Sequence, residues 1–551
     1  MEIFCKSNFL LLYFVITFVV QNSYADVCQI CLCSSTGDTT ISINCNKINF
    51  TSINIIRFGL VSAEYNGTLG ALDLSETSIT YIVADMFETS KYLKILNLSH
   101  NHLQEIKSSV FKNLNNLKVL DLSNNKIKTI QSFYLPSLEV LDLSNNAIDD
   151  LDFEFQKSYP QLHDLRMSHN NLSDSINGTL TLLTQLRHLD LSCNYFNLYD
   201  ENFKFLTQLI TLNLSHNAIE VLEKKKFPDN LTCLDVGFNS LTTFPNNLGK
   251  IQTLNLEYNK IRNFDNFTSE LTELKYLNIS GNLLKNLPDT PFFYLKTVDL
   301  SFNNFEIIPP ALNNKNYPAL ENLILSENPL QKIEFYSNLD IKSLIIRNIN
   351  HLTQIHEKAF RKLNKNSNHC VNLTLANNNL SDIHENTLKG LNLCFLDLKN
   401  NQFSYLPKKM FDSKLKSTEF GVDLEGNPFN CNCSLQWMLD DFVPWLYFKR
   451  PALLLDLRCM APEDFRGMRM VHWHKWKNQV FCEKSSLQSS RMIVEPSAIL
   501  GSGYNSITLH TSDGMVVVLI VAVIVLLLLV VTGIITAKRL ALRRTRINRR
   551  F

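Results

Sequence analysis

Two cysteine clusters bracket the central region of the chain, and closely spaced thiols can do one of two things. The first reads Cys28-x2-Cys31-x-Cys33-x11-Cys45; the second reads Cys431-x-Cys433, with Cys459 and Cys482 behind it. Four thiolates at such spacings can hold a tetrahedral zinc ion. The same sulfurs can instead pair as disulfides, with three possible connectivities for each set of four. Redox compartment decides between them. His472-Trp-His474 puts two imidazoles on one face of an extended segment, but no third ligand is evident. The sequence contains no nucleophile elbow, phosphate loop or zinc-protease helix. Catalysis is not supported, and no cofactor is expected.

Two apolar segments fix the compartment. Phe9 to Val20 is an apolar run after Lys6 that leads into Ser23-Tyr24-Ala25. Small residues at −3 and −1 mark a signal peptide over residues 1–25, cleaved after Ala25. Met515 to Ala537 carries no charge; as a helix it would be about 34 Å long, enough to cross a hydrocarbon core of about 30 Å. Behind it stand Lys538, Arg539, Arg543, Arg544, Arg546, Arg549 and Arg550. Cations gather on the cytoplasmic side. The expectation is a single-pass type I plasma-membrane protein with an extracellular N-terminus, an extracellular stalk over 483–514 and a basic tail over 538–551. That tail should lie against anionic lipids, although Arg544-Thr-Arg546 also suits a retention signal. Gly533-x3-Ala537 is a weak dimerisation signal. The net charge of +1 hides a mildly acidic body, because the last 14 residues hold seven of the 53 cations and none of the 52 carboxylates. Such a body is a poor footprint for nucleic acid, and a soluble cytosolic enzyme is excluded. Outside the cytosol, disulfides are favoured over zinc.

Between the membrane signals one unit is written many times. Leu93-x2-Leu96-x-Leu98-x2-Asn101-x-Leu103 recurs as Leu117…Leu120-Asp-Leu122…Asn125…Ile127, and again from Leu138. The template L-x-x-L-x-L-x-x-N-x-L is the leucine-rich repeat. Units start at 69, 93, 117, 138, 162, 186, 209, 231, 251, 274, 295, 320, 341, 370 and 393. A sixteenth, degenerate unit surrounds Val422-Asp-Leu424…Asn427. In L-x-L the two leucines share one face of a short strand. No unit can bury its leucines alone, so neighbours must stack. The fold expected is α/β: a leucine-rich-repeat solenoid over 69–426, curved as a horseshoe with a parallel sheet on its concave face. The asparagines from Asn101 to Asn282 should form a buried ladder that satisfies turn backbone. Phe111, Phe360 and Phe411 fall where the convex side packs aromatics. Thr77 replaces the first asparagine, the unit at 341 has Asn348 and Asn350 on either side of the position, and a loop over 364–368 should bulge.

A solenoid exposes its core at both ends, and the cysteine clusters lie there, over 26–68 and 427–482. The flanked repeats and the Asn427-Pro-Phe-Asn-Cys431-Asn-Cys433 cap resemble the ectodomains of Toll-like receptors and of insect leucine-rich-repeat adhesion proteins, over roughly residues 26–482. The resemblance implies Cys28–Cys33, Cys31–Cys45, Cys431–Cys459 and Cys433–Cys482 bonds. The sequence departs from the receptors in one respect: only 14 residues follow residue 537, so their cytoplasmic signalling domain is not expected. Cys370 and Cys394 can be adjacent in space, as a bond or as buried thiols; Cys193 and Cys233 lie within repeats.

The residues beside the middle leucine face the concave side. One such column, from Asp73 and Asn97 to Asp397 and Asp423, is mostly Asp and Asn. These acids are either solvated or, less simply, a site for a cationic ligand. Glycan acceptors (N-x-S/T) occur at Asn49, Asn66, Asn97, Asn171, Asn177, Asn213, Asn230, Asn266, Asn278, Asn372, Asn379 and Asn432. Asn97, Asn213 and Asn278 stand in the column itself. Ile324 and Ile345 are its aliphatic, sequon-free stretch, and with Phe395 they are the expected partner contact. The function expected is capture of an extracellular protein or glycan, as adhesion molecule or co-receptor, with a homodimer also open. A decoy or regulator of innate immune signalling is the other reading.

Overall fold

Apolar residues that alternate across three-residue strands can be buried only if each strand finds two neighbours. The computed structural model describes residues 27–482, apart from 36–39, 49–67, 84–85, 89, 131–132, 152–154, 175–176, 181, 199–202, 223–226, 246–247, 265–270, 366–368, 413–419 and 474–479. The chain divides into Met1–Glu483 and Lys484–Phe551, and every described residue belongs to the first. The signal peptide, Asn49, Asn66, Asn266, His474, the stalk, residues 515–537 and the basic tail lie outside the described residues. Among the described residues no helix is long and apolar enough to cross a membrane.

Eighteen of the described strands form one sheet. It opens with an antiparallel hairpin, Leu32–Ser35 against Thr40–Asn44. Thr68–Asp73 runs parallel to the second of these strands. Every later unit then adds one parallel strand in register, Leu96 beside Leu120, Leu120 beside Leu141, and so on to Leu396 beside Val422. The last strand, Gly421–Asp423, belongs to the degenerate sixteenth unit. The leucines flanking each variable residue, such as Leu120 and Leu122, are completely buried. Each contributes about 1.5–3 kcal/mol.

On the far side of that core the chain returns through short turns, two-residue strands and aromatics. Phe87, Phe111, Phe133 and Tyr159 pack from one unit to the next, the first pair stacked and the other two edge-on, with ring centroids 6.2, 4.9 and 5.7 Å apart. Phe360 is buried too.

The asparagines sew the units together. Asn282 Nδ2 donates to Leu256 O (2.9 Å), Ile279 O (3.1 Å) and Ser280 O (3.1 Å), while its Oδ1 accepts from the Ile261 N–H at 3.0 Å. Leu256 and Ile261 belong to the preceding unit, so one carboxamide satisfies two turns. The same pattern continues from Asn101 through Asn427. At the first unit Thr77 Oγ1 substitutes, donating to Leu74 O at 2.7 Å. The unit at 341 has Ile349 at the ladder position. There Asn378 reaches back, accepting from the Ile349 N–H at 2.8 Å and donating to Ile346 O at 3.0 Å.

One expectation is corrected. Asn364 does not start a bulging loop: it is buried, and its amide accepts from the Ile341 N–H and donates to Ile341 O, both at 2.7 Å. A parallel bridge between Leu339 and Leu363 also holds this stretch to the solenoid, and residues 366–368 of the expected loop lie outside the described residues.

Both ends are sealed. Cys28 is bonded to Cys33 and Cys31 to Cys45. At the other end Cys431 is bonded to Cys459 and Cys433 to Cys482. Trp437 and Phe442 lie on Phe411 (5.6 and 5.7 Å), and Trp445 lies on Phe420 (5.8 Å), so the last unit's core meets aromatics rather than water. A further disulfide joins Cys370 to Cys394 in neighbouring units. Cys193 and Cys233 are free, partly buried thiols. Burial, then the charge of Asp190 or Asp235 respectively, pushes both above the usual thiol range, which leaves poor nucleophiles.

The ladder gives a direct stability test. Asn282→Ala leaves buried backbone groups of two units unpaired and should cost about 2–4 kcal/mol. Asn304→Ala, at an exposed position of the next unit, should stay within about 0.5 kcal/mol of the parent. Urea midpoints of the two variants measure the difference.

Candidate binding face

The side of the sheet that turns away from the leucines is the candidate site. Each unit presents four side chains there: two on the strand, one just after it, and one immediately before the ladder asparagine. Sequence reasoning covered the strand residues only.

The acidic and amide column has a local task. In twelve of the sixteen units the Asp or Asn side chain accepts the backbone N–H two residues on, at 2.9–3.2 Å. Asp or Asn is common here because the strand ends in an Asx turn. Burial pushes the Asp142 and Asp423 carboxyls up, against the hydrogen bonds that hold them down. Arg166 is clamped by Asp164 at 2.8 Å, and that hydrogen bond raises its already high pKa.

The glycan acceptors fall into two groups. Asn97, Asn213 and Asn278 are half-buried with Oδ1 engaged in these turns. Asn171, Asn230, Asn372, Asn379 and Asn432 are exposed, and Asn177 opens the short helix Asn177–Leu180. Asn230 and Asn379 donate to backbone carbonyls of the preceding unit, at 2.8 and 2.9 Å.

Ile324 and Ile345 lie side by side in register, both half-buried. They occupy the Asx column and forgo its hydrogen bond. Phe395 stands two strands further on, in the neighbouring column, beneath the Arg450 guanidinium at 5.7 Å. Gly421, beside Phe395, is where Arg450 crosses: a Cβ there would lie 2.9 Å from the guanidinium. Arg347 and Asp397 pair at 3.3 Å on the same face.

The column before the ladder asparagine was not legible as a site. Its sixteen residues, from Glu76 to Gly426, all have φ between 49° and 72°. Left-handed backbone suits Gly, Asn and His and is unfavourable for bulky side chains. Yet Phe238, Tyr258 and Phe302 stand there, 37%, 44% and 48% exposed. His216 stacks on Phe238 at 4.1 Å, and Phe238 on Tyr258 at 4.7 Å, the spacing of adjacent strands. Tyr258 and Phe302 are two strands apart, yet their rings approach to 6.1 Å. Gly281 stands between them, and a Cβ there would lie 2.7 Å from Tyr258 Cδ1. Its missing side chain lets the stripe run unbroken. Each left-handed aromatic costs roughly 1–2 kcal/mol, and stacking returns about 0.5–1.5 kcal/mol per pair. The stripe therefore adds little to stability. Bulky rings at a position that Asn, His, Gly, Glu and Cys fill in other units were the available signal.

Gly281→Ala should destabilise the chain by about 1–3 kcal/mol through backbone strain and collision with Tyr258. In a Tyr258→Asn background the collision disappears, so the penalty should shrink. Urea denaturation of the four chains in this cycle tests it; equal penalties in both backgrounds would show that the ring does not rest over Gly281.

Comparison with known proteins agrees with this architecture. A family model described as Leucine rich repeat matches residues 91–148 and 136–196, and another, Leucine Rich Repeat, matches 294–315. Mouse Toll-like receptor 7 is 25% identical over 328 residues, 56% of this chain and 29% of that receptor. Mouse CD180 antigen is 27% identical over 339 residues, 56% of this chain and 48% of the antigen. The matches thus span less than half the length of either relative. Among solved structures, the Leptospira interrogans leucine-rich-repeat protein LIC12759 aligns with a TM-score of 0.49 at 25% identity, covering 65% of this chain and 84% of that one. The chain carries a leucine-rich-repeat domain that resembles those of Toll-like receptors and CD180.

Proposed function

We propose that this chain is a single-pass type I cell-surface protein that captures an extracellular protein or glycan on the open face of its repeat sheet, acting as adhesion molecule or co-receptor. In this reading residues 1–25 are removed on secretion, 26–482 are the capped solenoid, 483–514 the stalk, 515–537 the membrane anchor, and 538–551 a basic tail on anionic lipid. Similarity to proteins named as Toll-like receptors supports a binding role over a catalytic one. The observation that carries the reading is the pair Ile324 and Ile345. They give up a hydrogen bond made in twelve other units and leave adjacent aliphatic surface toward solvent. A contact site explains that loss. Similarity to CD180 and Toll-like receptor 7 favours a second reading, a regulator of innate immune signalling that shares a ligand with such receptors.

Proximity labelling from cells that display the full-length chain tests the proposal. Ile324→Asp with Ile345→Asp should remove most labelled partners, with surface level and thermal midpoint unchanged. An unaltered partner set would contradict the site. Aggregation of expressing cells would favour adhesion; a damped response to a microbial ligand would favour the regulator.

A further inference from the structure

We infer that the aromatic stripe His216–Phe238–Tyr258–Phe302 is a docking strip for a cationic, arginine-bearing polypeptide segment of the partner. The inference rests on the binding reading above and names the chemistry of what is bound. Its rings are stacked face on face along successive strands, with interplanar angles of 8° and 19° and Phe302 tilted by 41° against Tyr258, and they are open to solvent, not covered by any loop of the described chain. The outward ring edges form an apolar strip that suits the aliphatic stems of arginine, while the carboxylates beside them suit its guanidinium groups.

The charge around the rings selects the occupant. Across the seven units from 186 to 320, the four outward columns contain Asp190, Asp235, Glu257, Asp299 and Glu327 and no Lys or Arg. Asp235 and Glu257 beside the rings are bonded by neutral amides: Asn255 Nδ2 donates to both, and Asn278 Nδ2 donates to Glu257 at 3.1 Å. Amide donors orient these carboxylates and leave their charge uncompensated. Cations resume only at the ends of the strip, where Arg166 is held by Asp164 at 2.8 Å and Arg347 by Asp397 at 3.3 Å. The flanking cations Arg187, Lys260, Lys275 and Lys296 stand on the rims, outside the four columns, with Lys260 bonded to Ser240 and Lys275 to Gln252. The surface is therefore aromatic and anionic together over a length of several strands. An anionic glycan or acidic peptide would meet repulsion there, whereas a basic segment gains on both counts.

Left-handed backbone supplies a clean variant. Tyr258→Asn with Phe302→Asn installs a residue that this conformation accepts, creates no glycan acceptor, and should fold at least as well as the parent. The probe is a fluorescent peptide of alternating Arg and Gly, compared with its Gln-for-Arg counterpart. It is titrated against the purified full-length chain in detergent, with sugars trimmed enzymatically because Asn278 adjoins Glu257. The Arg peptide should bind and the Gln peptide should not. The double Asn variant should weaken binding about tenfold or more, and Glu257→Gln should weaken it severalfold and flatten its salt dependence. Asp423→Asn, in the same column but away from the rings, creates no glycan acceptor and should change nothing. Arg-peptide affinity that survives the double Asn substitution, or falls equally with Asp423→Asn, would overturn the inference. If that happens while the isoleucine variants still lose their partners, only the strip is wrong; if both sets bind as the parent does, the binding reading itself fails.

Discussion

A single buried carboxamide per turn holds this architecture together. Leucine burial supplies most of the stabilising energy, but it is non-directional and would tolerate many packings. The ladder asparagine is directional: it closes its own turn and pins the N–H and C=O of the unit before it, as Asn282 does with Ile261 and Leu256. That forces a fixed register from unit to unit. The register in turn lines up every other column, including the Asx acceptors and the left-handed position before each asparagine. The conformation of the binding face is thus a by-product of how the core is sewn.

Much of the solenoid could be read directly from spacing, because L-x-L and a ladder asparagine are local patterns repeated too often to be accidental. Each of the sixteen units, the degenerate one included, contributes a strand. Reading failed where a residue's task depends on a neighbouring unit. Asn364 lay in an irregular stretch and read as loop, yet it clamps Ile341 across the long step. Ile349 leaves a gap in the ladder, and its own N–H is taken up by Asn378, a unit later.

The candidate site was legible in part for the same reason. Ile324 and Ile345 differ from their column by type, which the sequence displays. The aromatic stripe required knowing that one column is left-handed, so that Phe238, Tyr258 and Phe302 are conformationally expensive, and that Gly281 is a space for a ring. Asp and Asn of the Asx column carried the opposite lesson. Their abundance reflects turn geometry, since most of them are Asx acceptors, and the Asp carboxylates among them, Asp235 included, keep their charge while they serve the turn.

Recognition on the open face of units 209–341 is the central claim, and hydroxyl-radical footprinting of the full-length chain with and without its captured partner tests it most directly. The account predicts loss of oxidation at Tyr258 and Phe302 on binding, with the exposed Tyr447 and Phe448 of the C-terminal cap unchanged. Protection confined to the caps or to the returning side of the solenoid, with Tyr258 and Phe302 still oxidised, would contradict it.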